Sequence, residues 1–147
     1  MTGGRDFSDR MLVEKAFSDI SLSAADILVE GEAHGADSLC AEVAREMGAT
    51  VEPHPAKWSV YGGAAGHIRN AEMLRSGVDL LLSFPGGRGT RHCTITAREM
   101  GIPVILVRAD GPSAEAPAEQ LPVPTHGEPG EGLPEKEGDL WDALLSP

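Results

Sequence analysis

The stretch LLLSFPGGRGTRHC, residues 80–93, carries the densest chemistry in the chain. An apolar run enters a turn built from Gly86, Gly87, Arg88, Gly89 and Thr90, and a helical pattern follows. Glycines at such a junction let the backbone approach a guest with no Cβ in the way. The N–H groups of the turn and of the first helical residues then face outward unpaired, and the helix dipole adds positive potential. With the Thr90 hydroxyl as a further donor, this is the chemistry of an anion cradle, although it is neither a Walker loop nor a GxGxxG motif. A tight strand-to-helix turn with no guest would use the same residues.

Other groups could share that task. Arg69, in GHIRNAEML, offers a planar fork suited to phosphate or carboxylate, and Asn70 can read a base edge or a ribose hydroxyl. The plainer alternative is an exposed Arg69 paired with Glu72. Gly3, Gly4 and Arg5 make a second glycine turn, and Gly31, Gly35 and Asp37 a third. Asp6 or Ser8 is the expected N-cap of the first helix, since capping needs only the local chain. Trp58 and Tyr61 could stack on a nucleobase or simply anchor their loop. The five histidines lack the spacing of a metal site, so no metal and no resident cofactor are expected.

These residues need a scaffold that brings their turns together, and the pattern of residues 1–109 supplies one. DFSDRMLVEKAFSDI sets Phe7, Met11, Phe17 and Ile20 on a helical stripe. ADILVEG reads as a strand, HGADSLCAEVAREMG as a helix stopped by Gly48 with Leu39, Val43 and Met47 on one face, and ATVEPHP as a weaker strand. AAGHIRNAEMLRSG is a helix stopped by Gly77, VDLLLSFP a buried strand, RHCTITAREMG a helix stopped by Gly101, and IPVILV the last strand. Such alternation implies an α/β fold: a Rossmann-like, doubly wound parallel sheet in three α/β/α layers. Ligands of such sheets sit beyond the carboxyl ends of the strands, where the winding reverses, and all three glycine turns fall at that rim, TGGRD opening the first helix. The chain starts on a turn, with almost nothing ahead of it for the strand that is normally central. Native residues missing upstream, through a misplaced start, are the expected reason; the alternative is a sheet without its middle.

Composition bounds the partners. At 147 residues, 41% hydrophobic and 24% charged, the chain lies in the ordinary globular range. With no apolar run long enough for a membrane span and no signal peptide, the cytoplasm is the default compartment and no membrane partner is expected. Cys40 and Cys93 have no metal-ligand spacing and are expected reduced and packed. Of the net charge of −11, residues from Asp110 onward carry −8, leaving −3 for residues 1–109. A grip on many phosphates needs a basic face, so nucleic acid is not the expected partner, whereas a small phosphorylated guest needs only one nest of donors. Residues 110–138, rich in Pro, Gly and Glu, read as a disordered acidic linker. Residues 139–147 read as a short helical segment, with Leu140, Trp141, Leu144 and Leu145 at helical spacing; so short a segment is marginal alone, so a fraying helix is the plainer expectation and docking on the core or on a partner the alternative.

TGGRDF, EGEAHGADSLCAEVA, PAKWSVYGGAAGHIRNAEML and SFPGGRGTRHCTITAREMGIPVILV together resemble the YspA/YpsA-related branch of the SLOG superfamily. Its other branches include the lonely-guy phosphoribohydrolases and the Rossmann core of the DNA-processing protein DprA. The resemblance covers nearly all of residues 1–109. It implies a Rossmann-like domain that binds nucleotides or nucleotide-derived molecules, often in phage or bacterial conflict settings, and it leaves a homodimer open because such relatives commonly pair. The lonely-guy pattern PGGxGTxxE ends on a glutamate essential to N-glycosidic hydrolysis. Here Pro85 to Thr90 keep the cradle, and Cys93 stands where that glutamate belongs; a thiol cannot take a carboxylate's part at a ribosyl oxocarbenium ion. A non-catalytic sensor or sequestering protein that grips a phosphorylated nucleotide derivative therefore leads. Next comes a phosphoribohydrolase using another acid, Asp37 or Glu72, then a DprA-like accessory to DNA handling, against which the acidic balance argues. Last is a scaffold whose tail does the work.

Overall fold

The computed structural model describes residues 1–109 and the backbone of Ser113–Ala114; the expected acidic linker and C-terminal segment otherwise lie outside the described residues. Among the described residues five α-helices and five strands follow in order: α1 (Arg10–Asp19), β1 (Ile27–Glu30), α2 (Ala36–Glu46), β2 (Thr50–Pro53), α3 (Trp58–Tyr61), α4 (Ala65–Arg75), β3 (Leu81–Ser83), α5 (Arg88–Glu99), β4 (Val104–Leu106) and β5 (Ser113–Ala114). Helices α2, α4 and α5 stop at Gly48, Gly77 and Gly101 as expected, each glycine at positive φ. No helix among the described residues is long and apolar enough to cross a membrane.

The fold is Rossmann-like. β1 pairs in parallel with β2, Leu28 opposite Val51, and β3 pairs in parallel with β4, Leu82 opposite Ile105. Met1 and Thr2 join the two ladders. Thr2 forms a parallel bridge with Ser83, its N–H donating to the Leu82 carbonyl at 2.9 Å and its carbonyl accepting from Phe84 N–H at 2.9 Å. On the other side the Met1 nitrogen donates to the Val29 carbonyl at 2.7 Å. The sheet thus has its middle, made of two residues, and the winding reverses between that slot and β3. β5 adds antiparallel to β4, Ser113 opposite Leu106.

Alternation along the strands divides the core between two faces. Leu28 and Leu82 meet Val13, Ala16 and Phe17 of α1 and Cys40, Val43 and Ala44 of α2. Leu81 faces the other way, onto Leu74 of α4 and Cys93 and Ala97 of α5. Because both faces of β3 are covered, its sequence is a continuous apolar run. Cys40 and Cys93 are both free and fully buried, in keeping with packing roles.

Four local expectations fail. Helix α1 starts at Arg10, so TGGRD does not open it directly, and its N-cap is Asp9, whose carboxylate accepts from Leu12 N–H at 3.0 Å. Neither Asp6 nor Ser8 caps it. Met11 is 80% exposed, off the stripe it was assigned to, and Met47 is exposed at the end of α2. Asp9→Ala should lower stability by about 1 kcal/mol, seen as a shift of the denaturation midpoint, while Asp6→Ala leaves the midpoint unchanged.

Candidate functional site

The rim at the winding reversal holds a cleft of about 740 Å³. Its floor is two loops laid against each other, Thr2–Gly4 and Pro85–Gly87, tied by Gly4 N–H donating to the Pro85 carbonyl at 2.9 Å. The contact tolerates no side chain: a Cβ on Gly86 would stand 2.6 Å from Gly4 N and 2.2 Å from the Thr90 hydroxyl oxygen. Among the described residues no hydrogen bond uses the N–H groups of Gly86 to Thr90, and Gly87, the N-cap of α5, supplies no side chain to them. Thr90 itself is buried at the cleft wall. Gly86, Gly87, Gly89 and Thr90 line one concave surface at the positive end of a twelve-residue helix, which favours an anion there.

Arg5 stands exposed at the rim, its guanidinium carbon 5.7 Å from the centre of the Trp58 ring, and both line the cleft. No ion pair of Arg5 is found among the described residues, which leaves it a cation–π contact and free donors. Arg69 is different. Its side chain, only 14% exposed, donates through Nη1 to the carbonyls of Gly31 and, at 3.3 Å, His54, and through Nε to Asn70 Oδ1 at 3.0 Å. Nη1 also lies 3.9 Å from Asp37 Oδ2. Arg69 therefore closes the end of β1 and neutralises a buried acid, and among the described residues no hydrogen bond uses Nη2. It does not pair with Glu72.

Asp37 is buried at the cleft wall, its Oδ2 accepting from Gly31 N–H at 3.1 Å and Ala33 N–H at 3.4 Å. Burial pushes its carboxyl above the ordinary value, against the pull of Arg69 and the two N–H groups. Asn70 is also buried. Its Oδ1 accepts from Arg69 and its Nδ2 donates to the Gly89 carbonyl at 3.4 Å, so its amide fastens α4 to the cradle and is not spare for a base edge. Cys93 does not line the cleft, and burial raises its thiol pKa, so it is held neutral.

The cleft thus gathers Gly3, Gly4, Arg5, Asp37, Trp58, Arg69, Asn70, Gly86, Gly87, Gly89 and Thr90 from the residues singled out in the sequence. Four others lie elsewhere. Arg88 is exposed outside it, and Tyr61, 42% exposed on α3, does not line it. Gly31 leaves room for Arg69, whose Nη1 would sit 1.5 Å from a Cβ there. Gly35, at φ +76°, packs under the Gly4 and Arg5 carbonyls. Sequence reasoning missed Gly63, Gly66, His67 and Met73, which also line the cleft. Their signal was present: with Asn70 they recur every three or four residues, one face of a helix. His67 stacks on His92, ring centres 4.1 Å apart, and desolvation and His67 together lower the His92 pKa.

The profile of the YspA, cpYpsA-related SLOG family matches residues 1–61, which carry the Gly3–Arg5 loop, Asp37 and Trp58. The Gene 61 protein of Mycobacterium phage D29 is 43% identical over 115 residues, covering 71% of this chain and 91% of that protein. No solved structure matches.

Proposed function

Since the chain belongs to the YspA, cpYpsA-related SLOG family, we propose that its cleft binds a nucleotide or nucleotide-derived phosphorylated small molecule, for sensing or sequestration rather than turnover. The observation that carries the reading is that Gly86, Gly87, Gly89 and Thr90 at the start of α5, with N–H groups unpartnered among the described residues, line the same cleft as Arg5. Phosphate sits on the α5 end, Arg5 closes over it, and the Trp58 face takes the planar part of the guest. Membership points to nucleotide-related chemistry, and the glutamate of the hydrolytic pattern is absent here.

The second reading, phosphoribohydrolase, is supported by one group. Of the two acids named for it, Glu72 is exposed outside the cleft, whereas Asp37 lines it with a raised pKa, the condition for a general acid. Titration calorimetry with AMP, ADP-ribose, NAD and cyclic nucleotides tests binding, and chromatography of the same mixtures tests turnover. Heat with at least one compound and no free base supports a binder; free base at catalytic rates moves the assignment to Asp37 chemistry. No heat with any of them removes the nucleotide reading.

Gly87→Val is the variant that reports on the cradle. A Cβ there meets nothing within 4 Å, so the fold is kept, while the branched side chain stands over the helix end. Affinity should fall at least tenfold, about 1.4 kcal/mol, with the thermal midpoint little changed; unchanged affinity would move the site elsewhere.

A further inference from the structure

We infer that the apolar groove between α1 and β4 is the seat of the chain's own C-terminal segment, residues 139–147. The groove, about 210 Å³, is lined by Leu12, Ala16 and Ile20 of α1 and its end, and by Leu82, Ile105 and Val107 of the sheet. It exists because α1 covers β3 while no helix among the described residues lies over β4 on this face. Ile105 therefore packs against the main core cluster yet stays half-exposed, although its strand is interior to the sheet. Apolar surface of this kind gains from a cover.

Three observations name the occupant. The chain leaves the described residues at Ala114, directly opposite Ile105 in the β4–β5 ladder, so the next residues of the chain start beside the groove. Between Ala114 and Asp139 lie 24 residues, and a coil of that length spans on the order of 25–30 Å, ample to return to a groove at its own starting edge. The segment then brings Leu140, Trp141, Leu144 and Leu145, which at helical spacing share one face, with Asp139 and Asp142 beside them. Charge agrees. The groove's rim carries Lys15, Arg108 and Asp19, the last paired to Lys15 at 2.7 Å, which leaves a net charge of one positive unit there. Trp141 and one leucine would fill the groove, the aspartates lying toward the two cations.

The test uses the full chain in a Trp58→Phe background, leaving Trp141 as the sole tryptophan. Its emission should be blue-shifted, and acrylamide should quench it several-fold more slowly than in the same chain unfolded in urea. Leu144→Glu, which changes nothing among the described residues, should restore full quenching, as should Lys15→Glu with Arg108→Glu, both exposed positions. The protection should not change on dilution. Trp141 as accessible as in urea would overturn the inference, and so would protection that survives Leu144→Glu. Protection that disappears on dilution, with dimers in sedimentation, would give the groove to a second copy's tail and overturn it too. None of these readouts depends on the ligand.

Discussion

Gly35→Ala is expected to cost on the order of 3–5 kcal/mol, lowering the thermal midpoint by roughly 15–25 °C in a domain of this size. Two terms combine. At φ +76° and ψ −120°, outside the left-handed helical well, an L-residue is strained by about 1–3 kcal/mol. The new Cβ would also lie 2.3 Å from the Arg5 carbonyl oxygen and 2.5 Å from that of Gly4, backbone atoms that cannot swing aside as a side chain can. Relief requires lifting the first cleft loop off the start of α2, which also breaks the Ala36 N–H bond to the Gly4 carbonyl at 3.0 Å. Gly48→Ala separates the two terms, because Gly48 has φ +87° with its nearest neighbour, Ala24 Cβ, at 3.7 Å. It should show the backbone term alone. Equal losses at the two positions, measured by calorimetric unfolding, would mean that Gly35 does not seat the Arg5 backbone.

Arg69→Ala should lose about 3–5 kcal/mol at neutral pH, by stranding Asp37 rather than by removing contacts with a guest. The sign follows from the raised pKa. Folded Asp37 holds its proton more tightly than the unfolded chain does, so the ionised form costs stability above that pKa and the cost fades as pH falls through it. Without Arg69 the pKa rises further. The gap between wild type and variant should therefore be widest above the variant's further-raised pKa and narrow as pH falls from there to the wild-type folded pKa, itself above the ordinary 3.8. The lowered His92 pKa acts in the opposite direction, taking stability away as pH drops below 6.5, but equally in both proteins, so it cancels in the gap. Asp37→Asn in the Arg69→Ala background should recover most of the loss, since an amide oxygen can still accept from Gly31 and Ala33. A gap independent of pH, or no rescue, would show that Arg69 acts through its bonds to the Gly31 and His54 carbonyls alone.

These cases show what could be read from sequence. Glycine turns at strand-to-helix junctions located the rim, and the apolar run before Phe84 located β3, because both signals are local. Arg69 and Asn70 were recognised by their chemistry, but not their use. Gly31 and Gly89, which they hold, lie 38 and 19 residues away, and no spacing rule reaches that far. Gly31 and Gly35 looked like guest contacts for the same reason: what each makes room for, Arg69 or the Arg5 carbonyl, comes from another part of the chain. The cap of α1 moved to Asp9 because three acceptors, Asp6, Ser8 and Asp9, stand within four residues, and only tertiary packing selects among them. The short middle strand was illegible because two residues make no periodic pattern.

Arg69 and Asn70 are neighbours on α4, yet they fasten it to opposite banks, one to the β1–α2 junction and the other to the α5 cradle. A helix moored on both sides cannot tilt toward one without dragging on the other. Losing either mooring, as in Arg69→Ala or Asn70→Ala, therefore frees α4 from one bank while leaving it tied to the other.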